Sequence, residues 1–170
     1  MKTKIFVVLF TVLLAAGTAS FAGENPKPFK GWFEEVEVVL FGYDPLDYPY
    51  LMEIIDQYGP PHWTTFTTYE GRNNVGGKST HEHATMYYLI PLPDFSTYIF
   101  WMYADETITV ANGDKIFVKW SGVFNGSIYR QVAKGIIYGG TGRFEEAEGE
   151  KTHVNFTDEH IGDFEGYINY

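Results

Sequence analysis

The stretch "GGTGRFEEAEG", Gly139 to Gly149, decides the fold of this chain. Three of its four glycines lie between an apolar run, "KGIIY", and the mixed segment "EGEKTHVNFT", which contains the fourth, Gly149. A phosphate-binding loop would lead into a helix and carry a Lys and a Ser or Thr after its glycines. No lysine follows here in that register, and three nearby glutamates would repel phosphate. Glycine also lets a strand turn a corner, so we predict a tight turn between neighbouring strands.

In this turn Arg143 is expected to approach a carboxylate, while Phe144 and Ala147 are expected to pack inward. The structural residues of the turn are Gly139, Gly140, Thr141, Gly142, Arg143, Phe144 and Gly149.

On both sides of the turn the chain consists of short segments rich in β-branched and aromatic residues. In "EEVEVVLFG", Val36, Val38 and Leu40 share one face, which predicts a half-buried strand. Asn112-Gly113 is predicted to supply the positive φ of a primed hairpin turn. Eight or nine such segments follow one another without a long helix, which indicates an antiparallel sandwich or a closed barrel.

Residues 43–62 interrupt this pattern with several prolines and aromatic residues. Their spacing shows no period of two, so we predict a long loop with one helical turn at Leu51–Gln57. Its aromatic side chains favour packing over the mouth of a barrel.

The first 22 residues have the pattern of a secretory signal peptide: two lysines, an apolar core and a small-x-small site ending at Ala22. The apolar core is too short for a comfortable membrane span. We expect cleavage after Ala22, a flexible leader at 23–30 and one β-barrel domain at 31–170. The location would be secreted or periplasmic, with no membrane anchor.

The composition excludes several classes of partner and chemistry. Removing Lys2 and Lys4 leaves ten basic against 22 acidic residues, a charge of about −12. That charge repels nucleic acid and anionic membranes. The absence of cysteine excludes thiol nucleophiles and cysteine metal sites. A core without disulfides must be adequate by itself.

Three segments carry a resemblance to a known superfamily. "IIYGGTGRFEEAEGE" resembles the GGTGxFxxAxG segment of allene oxide cyclase and dirigent barrels and of many small secreted bacterial proteins, the group it resembles most. "GGKSTH" and the closing "FEGYINY" resemble two further segments of that bacterial group, which usually continues His-Leu-Gly where this chain has "HEH". The resemblance implies an all-β, single antiparallel eight-stranded barrel that is calycin-like, or allene oxide cyclase barrel-like, with a central cavity.

The "HEH" segment is the sharpest candidate for chemistry. On a strand His81 and His83 point to the same face, close enough to bind one metal ion such as zinc, copper or nickel. A third ligand would have to come from His62, His153, His160 or a carboxylate. The alternative is a solvent-facing strand with three polar residues in a row.

A second interpretation of the same segment is acid–base catalysis by His81, His83, Tyr87 and Glu82, with Tyr69 as a further partner. The resemblance to allene oxide cyclase implies cyclisation without a cofactor, and no cofactor is expected here. No serine or cysteine motif for a nucleophilic triad is present.

The aromatic share of 18% also suits a binding barrel. We predict non-covalent binding of a small apolar or aromatic molecule. The candidate lining residues are Trp63, Phe66, Tyr69, Tyr98, Trp101 and Trp120. The alternatives are a cofactor-independent cyclase or isomerase, and a structural or oligomer-forming envelope protein with a filled barrel. A strand that is apolar on both faces, "FSTYIFWMYA", also fits a homo-oligomer interface.

Overall fold

The computed structural model describes residues 26–41, 43–44, 47–90, 98–128, 130–156 and 161–170, with residues 154–156 described by backbone alone. The predicted signal peptide, residues 23–25 of the leader and His160 lie outside the described residues. The elements are β1 (Lys27–Leu40), α1 (Pro49–Tyr58), β2 (Trp63–Asn73), β3 (Gly77–Ile90), β4 (Ile99–Val110), β5 (Lys115–Asn125), β6 (Arg130–Gly140), a 3-10 turn (Gly142–Phe144), β7 (Glu148–Phe156) and β8 (Ile161–Asn169).

The eight strands form one closed antiparallel barrel. Each strand pairs with the next in the chain, and β8 pairs with β1. The predicted all-β, eight-stranded antiparallel barrel is therefore confirmed. The register partners lead from strand to strand once round the barrel, starting at Tyr87 of β3. This circuit returns to β3 at Gly77, ten residues away from its start. This offset is the shear of the barrel, which tilts its strands relative to the axis.

Alternate residues of each strand point into the lumen, as the period of a strand requires. The inward row of β4 is Phe100, Met102, Ala104, Glu106, Ile108 and Val110, all buried. On β8, Gly162 faces the rings of Phe33 and His153, and a Cβ at this glycine would overlap both. The small residue thus makes room for large side chains that cross the lumen.

Strand β1 departs from the expected pattern at both of its ends. It begins at Lys27, within the segment for which a flexible leader is predicted, and Phe29 is fully buried. At the other end Val36, Val38 and Leu40 are 60%, 43% and 66% exposed, so this row does not face the core. The pairing of β1 with β8 ends at Glu34, and the remainder of β1 pairs with β2 alone among the described strands.

The segment before β2 forms a helix of ten residues, longer than the single turn predicted. Proline is favourable in a first helical turn, and Leu51 and Ile54 lie on one face at helical spacing. These two side chains are buried with Ala84 and Met86 of β3. Because the two β3 residues point away from the lumen, the helix lies on the outer wall and the prediction that it packs over the mouth is wrong. Among the described residues, no helix has the length and apolarity needed to cross a bilayer.

The glycine-rich stretch forms the predicted turn between β6 and β7. Gly142 has φ of +58°, and a Cβ there would overlap the Asp114 carboxylate. Arg143 Nε lies 3.9 Å from Asp114 Oδ2, and its guanidinium donates to the carbonyl of Val75 at 2.6 Å. Phe144 is fully buried and closes this end of the core. The predicted inward packing and the approach of Arg143 to a carboxylate are confirmed.

The hairpin between β4 and β5 uses a different turn from the predicted primed one. Only Gly113 has positive φ there (+89°), whereas a type I′ turn would require it at Asn112 as well. The Gly113 N–H donates to Val110 O at 2.8 Å, and the Val110 N–H donates to Asp114 O at 2.9 Å. This arrangement is a three-residue loop that ends in a left-handed glycine.

Candidate functional site

The centre of the lumen holds a charged residue with no access to solvent. Glu106 occupies an otherwise apolar inward row of β4 and is fully buried. Four side chains from three other strands surround its carboxylate, and we call these five residues the Glu106 cluster. The members besides Glu106 are His81, His83, Trp120 and Lys151.

The two carboxylate oxygens have different partners. Oε2 accepts a hydrogen bond from Trp120 Nε1 at 2.7 Å and lies 2.7 Å from Lys151 Nζ. Oε1 accepts from His81 Nδ1 at 2.8 Å and from Lys151 Nζ at 2.9 Å. His83 Nε2 is 3.0 Å from the same oxygen, yet it is not aligned for a hydrogen bond. Both histidines thus lie at Oε1 and the indole lies at Oε2, while the ammonium contacts both oxygens.

Burial and charge oppose each other at both members of the ion pair. Burial alone would raise the pKa of Glu106, but Lys151 and the two histidines hold it well below its ordinary value. Burial lowers the pKa of Lys151, and the carboxylate opposes this change. Removing two charges from water costs several kcal/mol for each ion, which the attraction and hydrogen bonds must offset. The pair is therefore weak evidence for stability and a reasonable marker of function.

The hydrogen bond to Glu106 selects one neutral form of His81 in the metal-free barrel. Its Nδ1 donates to the ionised Glu106, so its Nε2 accepts from the Ser79 hydroxyl at 3.0 Å. Burial lowers the pKa of His81 to about 4, so the ring is neutral at pH 7. A hydroxyl can donate or accept, so Ser79 also suits the other neutral tautomer.

Aromatic side chains fix the rings of the two histidines. Tyr69 meets His83 edge to face with 4.8 Å between ring centroids, and the Trp120 ring stacks with His83 at 6.4 Å. Phe33 lies 5.7 Å from the His81 ring. The imidazoles are thus positioned by packing as well as by the carboxylate.

Four aromatic rings occupy the end of the barrel that carries the connection between β1 and β2. This mouth cluster consists of Trp63, Tyr87, Phe100 and Phe124. Trp63 lies 5.1 Å from Tyr87 and 4.2 Å from Phe100, measured between ring centroids. Trp63, Tyr87 and Phe124 are half-buried, so solvent reaches the cluster.

Small side chains separate the mouth cluster from the Glu106 cluster. Thr65, Thr85 and Ala104 are register partners on β2, β3 and β4, and all three are buried and face the lumen. On β5, Gly122 is the register partner of Met102. The Thr65 hydroxyl is buried and has no hydrogen-bond partner among the described residues. An unsatisfied buried polar atom of this kind calls for an explanation.

The sequence-predicted site residues fall on both sides of the wall. His81, His83, Tyr69, Tyr87, Trp63 and Trp120 face the lumen. Phe66 packs beside α1, Tyr98 is 59% exposed, and Trp101 pairs with the outward-facing Tyr88. Glu82 is exposed on the outer face of β3. Phe66, Trp101 and Glu82 point outward because they fall in the other phase of their strands, whereas Tyr98 precedes β4.

The acid–base set is therefore not one group. His81 and His83 touch Glu106, Tyr87 belongs to the mouth cluster, and Glu82 is outside. Of the candidate third metal ligands, His62 is exposed and His153 is buried on β7. Within the described part of the chain, the compact set of possible metal ligands is His81, His83 and Glu106, with ligand atoms within 4.8 Å of one another.

Sequence reasoning missed Glu106 and Lys151. A signal for Glu106 was present, because it is the single polar residue in the period-two row from Phe100 to Val110. Lys151 gave no comparable signal, since its neighbours Glu150 and Thr152 are polar as well. Only the closure of the barrel shows which of these polar residues is buried.

One described groove, of about 350 Å³, lies on the outer wall of β1, β7 and β8 rather than in the lumen. Its rim carries Lys30, Asp163 and Glu165. Exposed charged side chains around a surface groove do not resemble the apolar lining of a small-molecule site.

Comparison with known proteins adds no assignment: no protein-family model and no curated protein matches this chain.

Proposed function

We propose that the protein binds a small, mainly apolar or aromatic molecule in the lumen, between the mouth cluster and the Glu106 cluster. The observation that carries the proposal is the band of small side chains around the unpartnered Thr65 hydroxyl. The interior of an eight-stranded barrel is wide enough either to be filled by side chains or to hold one small ligand.

The band offers shape and one polar contact. Thr65, Thr85 and Ala104 have small side chains, so they occupy little of the lumen at this level. On β4 the larger inward residues Met102 and Glu106 flank Ala104 on either side. A ligand that donates or accepts one hydrogen bond would satisfy the Thr65 hydroxyl. Ligand sites commonly combine an apolar lining with a few such polar groups.

The mouth cluster supplies an entry for an aromatic ligand. Its rings meet edge to face and offset, an arrangement that a planar guest can join. Three of the four rings are reached by solvent. Displacing one ring opens the way to the band without breaking a strand.

Charge restricts the ligand further. Inside the lumen the Glu106 carboxylate is balanced by the Lys151 ammonium. The chain as a whole has an excess of ten negative charges. A neutral ligand therefore fits better than an anion.

The proposal can be tested with N-phenyl-1-naphthylamine, a neutral aromatic probe whose fluorescence rises in apolar surroundings. Wild-type protein should bind one probe per chain. Thr65→Phe fills the band and should weaken binding at least about tenfold.

Thr68→Phe is the matched control, since Thr68 lies on the same strand but faces outward. It should leave probe affinity unchanged. Ala104→Leu repeats the test with a smaller increase in volume if Thr65→Phe does not fold. Equal affinity in Thr65→Phe and wild type, or no saturable binding, would exclude a lumenal site and favour the filled, structural barrel.

We further propose that the chain is a secreted member of the allene oxide cyclase and dirigent type of barrel. The lysine-flanked apolar segment before Ala22 supports secretion, and the turn at Gly139–Gly149 supports the type. Cyclase or isomerase activity stays a prediction, because the four residues expected to carry it do not meet at one point.

A further inference from the structure

We propose that His81, His83 and Glu106 form a binding site for a divalent transition-metal ion, with zinc as the best fit. This site lies deeper than the proposed ligand band and does not depend on it. The sequence pointed to the two histidines, and the folded barrel adds the carboxylate that completes the set.

The ligand atoms already lie near the spacing that a metal requires. His81 Nδ1 and His83 Nε2 are 2.8 Å and 3.0 Å from Glu106 Oε1. All three atoms lie within 4.8 Å of one another. A tetrahedral zinc ion with bonds of about 2.0–2.1 Å separates its ligands by about 3.4 Å. Small rotations of the imidazoles would therefore admit the ion.

The donor set selects the class of metal. Two imidazoles and one carboxylate occur in zinc sites that keep a fourth position open. Imidazole also suits copper and nickel, whereas magnesium and calcium prefer all-oxygen sites. His83 is the ring with an available nitrogen, because its Nε2 lies beside Glu106 without an aligned hydrogen bond.

The surroundings provide the outer partners that a metal site needs. Ser79 lies 3.0 Å from His81 Nε2 and can fix the tautomer that presents Nδ1 to the ion. Trp120 holds Glu106 Oε2, while Lys151 Nζ contacts both carboxylate oxygens, Oε2 at 2.7 Å and Oε1 at 2.9 Å. The Lys151 ammonium opposes metal binding, because its positive charge repels a second cation. We expect the ammonium to keep its 2.7 Å contact with Oε2 while the metal ion replaces its 2.9 Å contact with Oε1.

The test uses Co²⁺, whose visible absorption reports the number and geometry of its ligands, followed by competition with Zn²⁺. The purified protein is first freed of metal with a chelator. We expect one Co²⁺ per chain, a tetrahedral spectrum and displacement by one Zn²⁺. His83→Gln and Glu106→Gln should weaken binding by more than the roughly 10- to 100-fold loss typical of an outer partner.

His62→Gln is the matched control, because it removes an exposed histidine far from the cluster. Its affinity should equal that of wild type. Ser79→Ala should weaken binding about tenfold, as expected of an outer partner, and it keeps the test decisive if Glu106→Gln does not fold. Wild-type affinity in His83→Gln, loss of binding in His62→Gln or no binding at all would overturn the proposal.

Discussion

At the scale of single residues, Glu106 and Lys151 form a buried ion pair in the lumen. Both side chains are fully buried, and each is the charge that compensates the other. Removing one partner of such a pair typically costs about 3–5 kcal/mol, because the remaining charge is left in a dry interior. Replacing both charges costs less than the sum of the single changes.

We therefore expect Lys151→Met to lower the free energy of unfolding by about 3–5 kcal/mol. Adding Glu106→Gln to it should restore part of that loss. The measurement is urea unfolding in the presence of a chelator. Lys30 pairs with Glu165 on the surface, both more than 60% exposed, so Lys30→Met should cost less than about 1 kcal/mol. Additive single changes would show that the two buried charges do not interact.

A second residue-scale effect comes from His153. Burial lowers the pKa of its imidazole from 6.5 to about 4, and its Nδ1 donates to the Asp163 carbonyl at 2.9 Å. Between these values the unfolded chain binds a proton that the folded chain does not, so stability falls as pH drops. His81 acts in the same sense, while Asp105, whose pKa is raised to about 6 by burial, opposes it. The charged groups that act on His153 include Lys151, two residues earlier on β7, and Glu106 on β4.

His153→Asn keeps a donor for the Asp163 carbonyl and removes the titrating ring. It should reduce the slope of unfolding free energy against pH between pH 6.5 and 4 by up to about 1.4 kcal/mol per pH unit. Urea unfolding at half-unit pH steps measures this slope. An unchanged slope would mean that His153 is protonated inside the barrel.

At the scale of elements, the turn between β6 and β7 ties two hairpins together. Thr141 exchanges hydrogen bonds with Lys115, through its backbone N–H and its hydroxyl, each at 2.9 Å. Gly142 lies between this contact and Phe144, which packs in the core. The geometry leaves no room for a side chain at Gly142, since Asp114 occupies the space.

Gly142→Ala should lower the free energy of unfolding by about 1–3 kcal/mol, as strain at a left-handed position with a close contact predicts. Gly113→Ala is the matched control. Gly113 has φ of +89° but no atom near its missing Cβ, so only the backbone cost of about 1 kcal/mol applies. In an Asp114→Ala background, Gly142→Ala should cost as little as Gly113→Ala. Thermal melts followed by circular dichroism would decide this, and equal losses in both backgrounds would contradict the clash.

The elements also show which signals were readable in the sequence. The period of two on β3 placed His81 and His83 on one face, and the barrel keeps them there. The length of helix α1 could not be predicted from the sequence, because the prolines and tyrosines around it hide the helical spacing of Leu51 and Ile54. The valine row of β1 looked like a core face, but no local pattern reveals that the shear carries it beyond β8.

At the scale of the whole molecule, turn spacing predicted eight or nine strands in a sandwich or a closed barrel. The resemblance carried mainly by the glycine-rich segment implied eight strands and closure, and the structure has both. The residues that fill the interior could not be predicted in the same way, because their burial depends on contacts between residues far apart in the chain. Glu106 and Lys151 are 45 positions apart and meet only because β4 and β7 face each other across the lumen. A single sequence shows which residues alternate on the two faces of each strand. It does not show which face lines the lumen or which residues of other strands lie opposite.

Closure of the barrel depends on the pairing of β1 with β8. Lys27–Lys30 pairs with Glu165–Ile168 of β8, and Phe29 is fully buried with its ring 4.9 Å from that of Phe164. The predicted cleavage after Ala22 lies before β1 and leaves every described strand intact. A chain of residues 23–170 should therefore unfold cooperatively with the same free energy as the full-length protein.

A chain of residues 31–170 removes Phe29 and half of the seam between β1 and β8. Loss of a buried phenylalanine alone costs about 3–5 kcal/mol, and the opened seam adds unpaired backbone groups on β8. We expect a lower melting temperature and fast hydrogen exchange at the β8 amides. Phe29→Ala in the 23–170 chain separates the two effects, because it removes the ring and keeps the backbone pairing. If the 31–170 chain retains the stability and slow exchange of the 23–170 chain, the barrel does not need Lys27–Lys30 to close.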